Sequence, residues 1–455
     1  MKTMRYISPT GMLGVGFSEQ YFREAVTPET AFIACDSGST DGGPAYLGAN
    51  KFFFSRSAVK RDVRILLTAA RANNIPLMIG SCGGSGGNWN LNWMWEIVKE
   101  IAEEESLSFK TALIEAEPDR EVLVNKLENG AFIPLANAPA VDAELLRDSD
   151  RIVAMMGMEP YLEALENGAD VILAGRSSDA ALFAAIPVAN GFPEGLAWHA
   201  AKIMECGGAA VAQMDRPEGM ICTLSMEDFV LEPVSPTQRV TPTSIASHAL
   251  YETSDPYRMR EPSGIMDLSN ARYAAVNDRQ VKVTGSEYES APYSVKLEGA
   301  KLAGYQAQVL GGVRDPVILA QFDTWLDEIK DSIRENVDAV FGKDMSSEYE
   351  VHFKVYGRNA VLAENEPNMD NFGNEVGLLI VALAETQDIA YTIAAQAAHM
   401  ALHHAVPEWQ GLVSNLAFPF APHITPLGPT YRFVLNHAVA LDDPMELFTI
   451  KYQEV

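Results

Sequence analysis

Positive charge is scarce in this chain: 34 lysines and arginines stand against 61 aspartates and glutamates, a net charge of −27 at pH 7. A duplex binder needs a basic face to neutralise phosphates, so nucleic acid is excluded as a partner, and anionic membrane surfaces with it. Cysteine is sparse as well. The four, at positions 35, 82, 206 and 222, form no CxxC or Cys/His spacing, which excludes a disulfide framework and fits a reducing cytoplasm. No window nears the roughly 20 unbroken apolar residues of a membrane span. Gly and Pro interrupt the opening "MKTMRYISPTGMLGVG", so it does not read as a signal peptide. Repeats and low-complexity tracts are lacking too. These absences leave a cytoplasmic globular protein.

With 455 residues, 47% of them hydrophobic and 21% charged, the chain is long enough for two domains. The first half alternates apolar strands with amphipathic helices. "AFIACD", "IPLMIG", "FKTALIEAE", "RIVAMMG" and "ADVILAG" read as strands, and "SRSAVKRDVRILLTAARANN" and "NWMWEIVKEIAEEE" as helices. Strands of near-continuous apolar character imply a parallel, Rossmann-like sheet with helices on both faces. The texture changes after residue 225. A linker is expected around 226–265, then a smaller α+β domain to 455. The expected organisation is thus an α/β ligand-binding domain over 1–225 and an α+β domain over 226–455.

In an open parallel sheet, ligands bind beyond the carboxyl ends of the strands. The polar loops fall at those ends: Asp36 to Asp41, Ser81 to Gly87, Glu115 to Asp119, Gly157 to Glu159 and Gly175 to Asp179. "DSGSTDGG" combines two carboxylates with Ser37, Ser39 and Thr40, groups suited to an anion nest, to proton transfer by Asp36 or Asp41, or to a divalent metal. An Asx or ST turn that satisfies only its own backbone is the simpler alternative. "GSCGGSGGN" precedes a helix and offers the N–H groups of Ser81, Cys82, Gly83 and Gly84 to an anion. Its glycines do not space as GxGxxG and no Gly-Lys-Ser/Thr follows, so a nicotinamide cofactor or a nucleotide phosphate is not expected. Arg176 follows a buried strand and offers a planar fork to a carboxylate, or else braces its loop through Asp179. Glu115, Glu159, Ser177, Ser178 and Asp179 complete the candidate rim. His399 and His403 sit one turn apart without a third ligand or HExxH, so a structural role is favoured for them.

These motifs, with "DSGSTDGGPAYLG", "IGSCGGSGG", "IVAMMGMEPYLEALENGADVILAGRSSDAALFAA", "KIMECGG" and "GVRDPVILAQFD" in order, resemble the acyclic terpene utilisation family, AtuA-like. The resemblance implies a bacterial catabolic role in pathways that degrade branched terpenoid acids. It supplies no catalytic roles. It also implies a small second domain or a separately encoded partner subunit, and no copy of that domain is evident before "ELFTIKYQEV". A homo-oligomer is the expected assembly.

The residues themselves suggest an enzyme acting on a small carboxylate or acyl-CoA by a hydratase or lyase reaction. Asp36 or Asp41 would serve as acid and base, Arg176 as clamp, and the amides of Ser81 to Gly84 as donors to an enolate. Ser39, Thr40, Ser177 and Ser178 would orient the substrate. Two alternatives remain at this level beside a nicotinamide oxidoreductase, which the acidic strand end at Glu115 and Glu117 keeps open. One is a hydrolase with Ser81 or Cys82 as nucleophile, although no GxSxG is present. The other is a non-catalytic metabolite-binding subunit.

Overall fold

A computed structural model describes residues 2–251, 253–342, 349–370, 372–411 and 414–455. The chain forms two compact units, one of residues 1–301 and 433–455, the other of residues 302–432. Residues 226–265, expected as a linker, lie within the first unit.

The first unit is organised around a 10-stranded sheet. At its centre Thr3–Ser8, Thr30–Asp36, Leu77–Gly80, Val171–Ala174 and Lys110–Glu115 run parallel, in that spatial order. Successive side chains of a strand enter opposite faces. Phe32 and Ala34 therefore join one core with Ile172 and Ala174, while Ile33 and Cys35 join the other with Ile79 and Leu173. Burial on both faces is what makes these strands continuously apolar. The fold is a mixed α/β arrangement with a largely parallel sheet.

The sheet is not parallel throughout. Met220–Ser225 and Phe229–Pro233 form an antiparallel hairpin, because the short turn in which Ser225 N–H donates to Asp228 O at 2.8 Å cannot hold a crossover. That hairpin adds antiparallel to Thr3–Ser8, and Thr449–Glu454 adds antiparallel to Lys110–Glu115. "RIVAMMG" also departs from expectation: Arg151–Ala154 pairs antiparallel with Leu297 to Ala300, outside the large sheet. The Pro/Thr/Ser-rich stretch expected as linker supplies Phe229–Pro233 and the helix Pro242–Ala249, whose start is a capping box of Thr241 and Ser244.

Helix Arg56–Asn73 shows how local sequence sets the layers. Ser55 accepts from Ala58 N–H at 3.3 Å at its start, and Asn74 ends it in the left-handed region at φ +51°. Between them Val59, Val63, Leu66 and Ala70 recur at helical spacing and are buried, each large apolar side chain contributing about 1.5–3 kcal/mol.

In the second unit Val376–Ala384 pairs antiparallel with Tyr349–Tyr356 on one side and with Tyr305 to Val313 on the other. Helices Phe322–Phe341 and Gln387–His403 pack together, the second presenting Ala390, Ala394, Ala397 and Ala401, whose small side chains permit a close approach. The stretch 316–341 breaks at Gln321 into the helices Pro316–Ala320 and Phe322–Phe341. Among the described residues no helix is long and apolar enough to cross a membrane.

Candidate active site

Three neighbouring parallel strands end side by side, with Asp36 opposite Gly80 in register and Ile79 opposite Leu173. Their following loops therefore share one rim. Asp36 is buried; its Oδ2 accepts Gly38 N–H at 2.9 Å, and its Oδ1 has no partner among the described residues. Burial and the nearby Asp179 charge push the Asp36 carboxyl well above its ordinary range, against the pull of Arg176.

Arg176 is the hub. Its Nε donates to Glu298 Oε2 at 2.9 Å, and its Nη1 donates to Asp179 Oδ1 at 2.8 Å, Ser177 O at 2.7 Å and Ser81 Oγ at 3.2 Å. Two carboxylates already answer this guanidinium, so it braces the rim rather than standing ready as a clamp. Burial alone would raise Glu298, but Arg176 and Lys296, whose Nζ is 2.9 Å away, outweigh it and hold the carboxyl at about 2. Asp179 is raised by burial in spite of Arg176.

The loop from Ser81 to Gly87 fits against Arg176 only because of Gly86, which has φ +70°. A Cβ there would lie 2.4 Å from Arg176 N, and Gly86 O itself accepts that N–H at 2.9 Å. Gly86→Ala should therefore displace Arg176 and lower stability by about 2 kcal/mol or more. A urea titration of wild type and variant would check this, equal midpoints being the contrary result.

Beside Arg176 lies a cavity of about 330 Å³, lined by Ser178, Asp179, Lys202, Glu205, Glu261 and Arg260 among others. Burial lifts Glu205 to about 8 although Lys202 Nζ stands 2.6 Å from its Oε1. Burial lifts Glu261 to about 7 although Ser178 Oγ donates to it at 2.7 Å. Lys202 loses stability as a cation through burial but is held charged by Glu205. Arg260 at the rim donates to Pro292 O at 2.8 Å and Ser294 Oγ at 3.2 Å, and no described carboxylate pairs with it. Charge-balancing acids with pKa values near neutrality, beside a cation, are a frequent mark of a proton-transfer site.

Several sequence expectations take a different form. Asp41 is exposed and tied to Ser39, whose Oγ donates to Asp41 Oδ2 at 2.9 Å and accepts Asp41 N–H at 3.1 Å, as in the turn alternative. Thr40 and Asp41 line another cavity of about 410 Å³ with Lys296 and Glu298. The amides of Ser81, Cys82, Gly83 and Gly84 donate to Gly175 O, Ala174 O, Ser37 Oγ and Ser81 O, so none is left for an enolate. Cys82 is fully buried, and burial raises its thiol far above the usual range, the reverse of an activated nucleophile. Ser81 is equally buried, and its Oγ accepts from Arg176 and, at 3.4 Å, from Ser177 N–H rather than facing a base. Ser177 is buried too, with its Oγ accepting from Tyr161 OH at 3.0 Å.

Glu115 pairs with Lys451 at 2.5 Å, and Glu159 accepts from Tyr293 OH at 2.6 Å; both are tied to these partners. His399 and His403 rings contact each other at 4.9 Å between centroids. Among the described residues no three His, Cys, Asp or Glu side chains gather as metal ligands do.

Lys202, Glu205, Glu261, Glu298 and Arg260 are absent from the sequence expectation. One signal was there for the first two: Lys202 and Glu205 are charged residues ending the otherwise buried helix Glu194–Met204, where uncompensated charge is costly.

The fold and site thus define an α/β protein with a carboxyl-rich rim at parallel strand ends. Residues 55–213 and 228–415 match the family described as acyclic terpene utilisation family protein AtuA, and the chain belongs to that family. The matched stretches include Ser81, Arg176, Lys202, Glu205, Glu261 and Glu298, and begin after Asp36. No curated protein and no solved structure matches the chain.

Proposed function

We propose that this protein is an acid–base enzyme that adds water to, or eliminates it from, a small carboxylate or acyl thioester. One observation carries the reading: Glu205 and Glu261, poised near 8 and 7, wall the same cavity as Lys202 and Arg260. In the elimination direction the Glu261 carboxylate takes the proton α to the carbonyl. The C–O bond of the β-hydroxyl then breaks as the Glu205 carboxylic acid protonates it, releasing water and leaving a double bond. Hydration runs the same steps in reverse, with the roles exchanged.

In this reading the Lys202 ammonium, not the loop amides, faces the developing enolate, and Arg260 at the rim attracts a carboxylate or the phosphates of a thioester carrier, Arg258 being tied to Asp267 and Glu289. Asp36 and Asp179 set the local field through their charge on one another, on Arg176 and on Glu205. Cys82 and Ser81 are sealed in the loop, which is why acid–base chemistry is favoured over hydrolysis through a nucleophile.

The test is a panel of 3-hydroxy and 2-enoyl acids and their coenzyme A thioesters, followed by enoyl absorbance, with a thermal-shift series alongside. Turnover of at least one pair is expected, with a loss in Glu261→Gln. Thermal stabilisation by these compounds without turnover of any would replace the enzyme by a metabolite-binding protein.

A further inference from the structure

In the second unit the strand Val376–Ala384 reads "VGLLIVALA", without a polar residue. Its neighbours differ: Tyr349–Tyr356 alternates apolar and polar residues, and Tyr305 to Val309 does the same. An antiparallel strand with one face in water alternates, and an unbroken apolar run is the mark of burial on both faces. Here only one face is covered. Leu378, Ile380, Ala382 and Ala384 join the core with the helices Phe322–Phe341 and Gln387–His403, whereas Leu379, Val381 and Leu383 take no part in it.

Register fixes what surrounds these three. Val381 lies between His352 and Gln308, Leu383 between Glu350 and Gln306, and Leu379 between Lys354 and Leu310. Glu350, His352, Lys354 and Leu310 are exposed, and Leu379, Val381 and both glutamines are half-buried. The face therefore has an apolar middle within a polar frame, the anatomy of a protein–protein interface. Its charge is unevenly placed. At one end Glu350 and Glu385 stand with Arg432, which pairs with Glu350, around a cavity of about 480 Å³, and one negative charge is left over. At the other end stands Lys354, which has no ion pair among the described residues.

We propose that this face docks on the same face of a second copy of the chain. A two-fold axis running across the strands through Val381 inverts the order of the rows. It sets Glu350 of each copy against Lys354 of the other, Leu383 against Leu379, and Val381 against its own counterpart. Sheets packed face to face stand about 10 Å apart, within reach of these side chains. An unrelated partner would have to supply both the stripe and the inverted charge order, whereas a second copy has them by symmetry. The three rows hold nine residues, against about 20–30 a side in a stable interface, so the dimer is weak and forms as concentration rises.

Sedimentation equilibrium of the whole protein at increasing concentration tests this. A monomer–dimer equilibrium is expected, and Val381→Glu, which puts a charge in the middle of the stripe, should weaken it about tenfold or more. Glu350→Lys and Lys354→Glu should each weaken self-association. Mixing those two variants should restore the dimer, because every altered charge then meets its opposite. Val381 makes none of the bonds that hold Glu350 to Arg432 and His352, so Val381→Glu decides the matter even where Glu350→Lys fails to fold by circular dichroism. A chain that stays monomeric up to about 1 mM would overturn the proposal. So would a dimer that Val381→Glu leaves unchanged, or folded charge variants that associate no better mixed than apart.

Discussion

Glu298→Ala should destabilise the protein by about 3–5 kcal/mol at pH 7, because it leaves the Arg176 guanidinium buried beside too little negative charge. Glu298 bonds both Arg176 and Lys296, and its carboxyl is held at about 2 against an ordinary 4.5. A folded-state value below the unfolded one contributes stability that is fully present above the unfolded value. That stability is lost as pH falls through the folded value. The gap between wild type and variant should therefore be constant from pH 7 down to about 5 and close towards pH 2. Chemical denaturation at several pH values measures it. A second variant guards the interpretation: Arg176→Met combined with Glu298→Leu removes both charges and should recover much of the loss. A gap independent of pH would show that the carboxylate charge contributes nothing.

Four carboxyls around Arg176 and its neighbouring cavity act in the opposite sense. Asp36, Asp179, Glu205 and Glu261 have folded values above their ordinary ones, so their contribution is fully present below the unfolded values. It is lost as pH rises through the folded ones, over a window that for Glu205 runs from 4.5 to about 8. The rim should be more stable at pH 5 than at pH 9.

The second large effect concerns rate. For a substrate found by the panel, kcat/KM should follow a bell in pH with limbs near 7 and 8. The acid limb reports ionisation of the base and the alkaline limb reports loss of the proton from the acid. Glu205→Gln should lower kcat/KM by about a hundredfold to ten-thousandfold and remove the alkaline limb, since glutamine cannot give up a proton in this range. Steady-state kinetics from pH 5 to 10 decide it. An unchanged bell in the variant would take Glu205 out of the reaction. A bell that keeps both limbs at a reduced rate would show that it positions the site without donating a proton.

The central strands were legible in the sequence because burial on both faces forces an unbroken apolar run, as in "IPLMIG" and "ADVILAG". The place of the rim was legible for a related reason. Adjacent parallel strands put Asp36, Ser81 and Arg176 at neighbouring ends once their order is set. What escaped was pairing over long separation. Glu298 meets Arg176 across 122 residues, and Glu261 meets Ser178 across 83, and no local pattern encodes either. The loop amides escaped for another reason. Glycine reads equally as a cradle for an anion and as room for backbone, and here Gly83 and Gly84 use their N–H groups within the protein. The direction of Met220–Ser225 and Thr449–Glu454 was hidden too, because an apolar strand does not announce whether its neighbour is parallel.

The strand Thr449–Glu454 completes one border of the large sheet by pairing along the whole of Lys110–Glu115. Residues 302–432, which form their own unit, are translated before it. During synthesis the nested unit can thus reach its native state first. The other one waits with an uncovered border until residues 449–454 leave the ribosome. Nascent chains arrested upstream of residue 449 should engage holding chaperones through that border, and addition in trans of a peptide spanning 449–455 should compete for it.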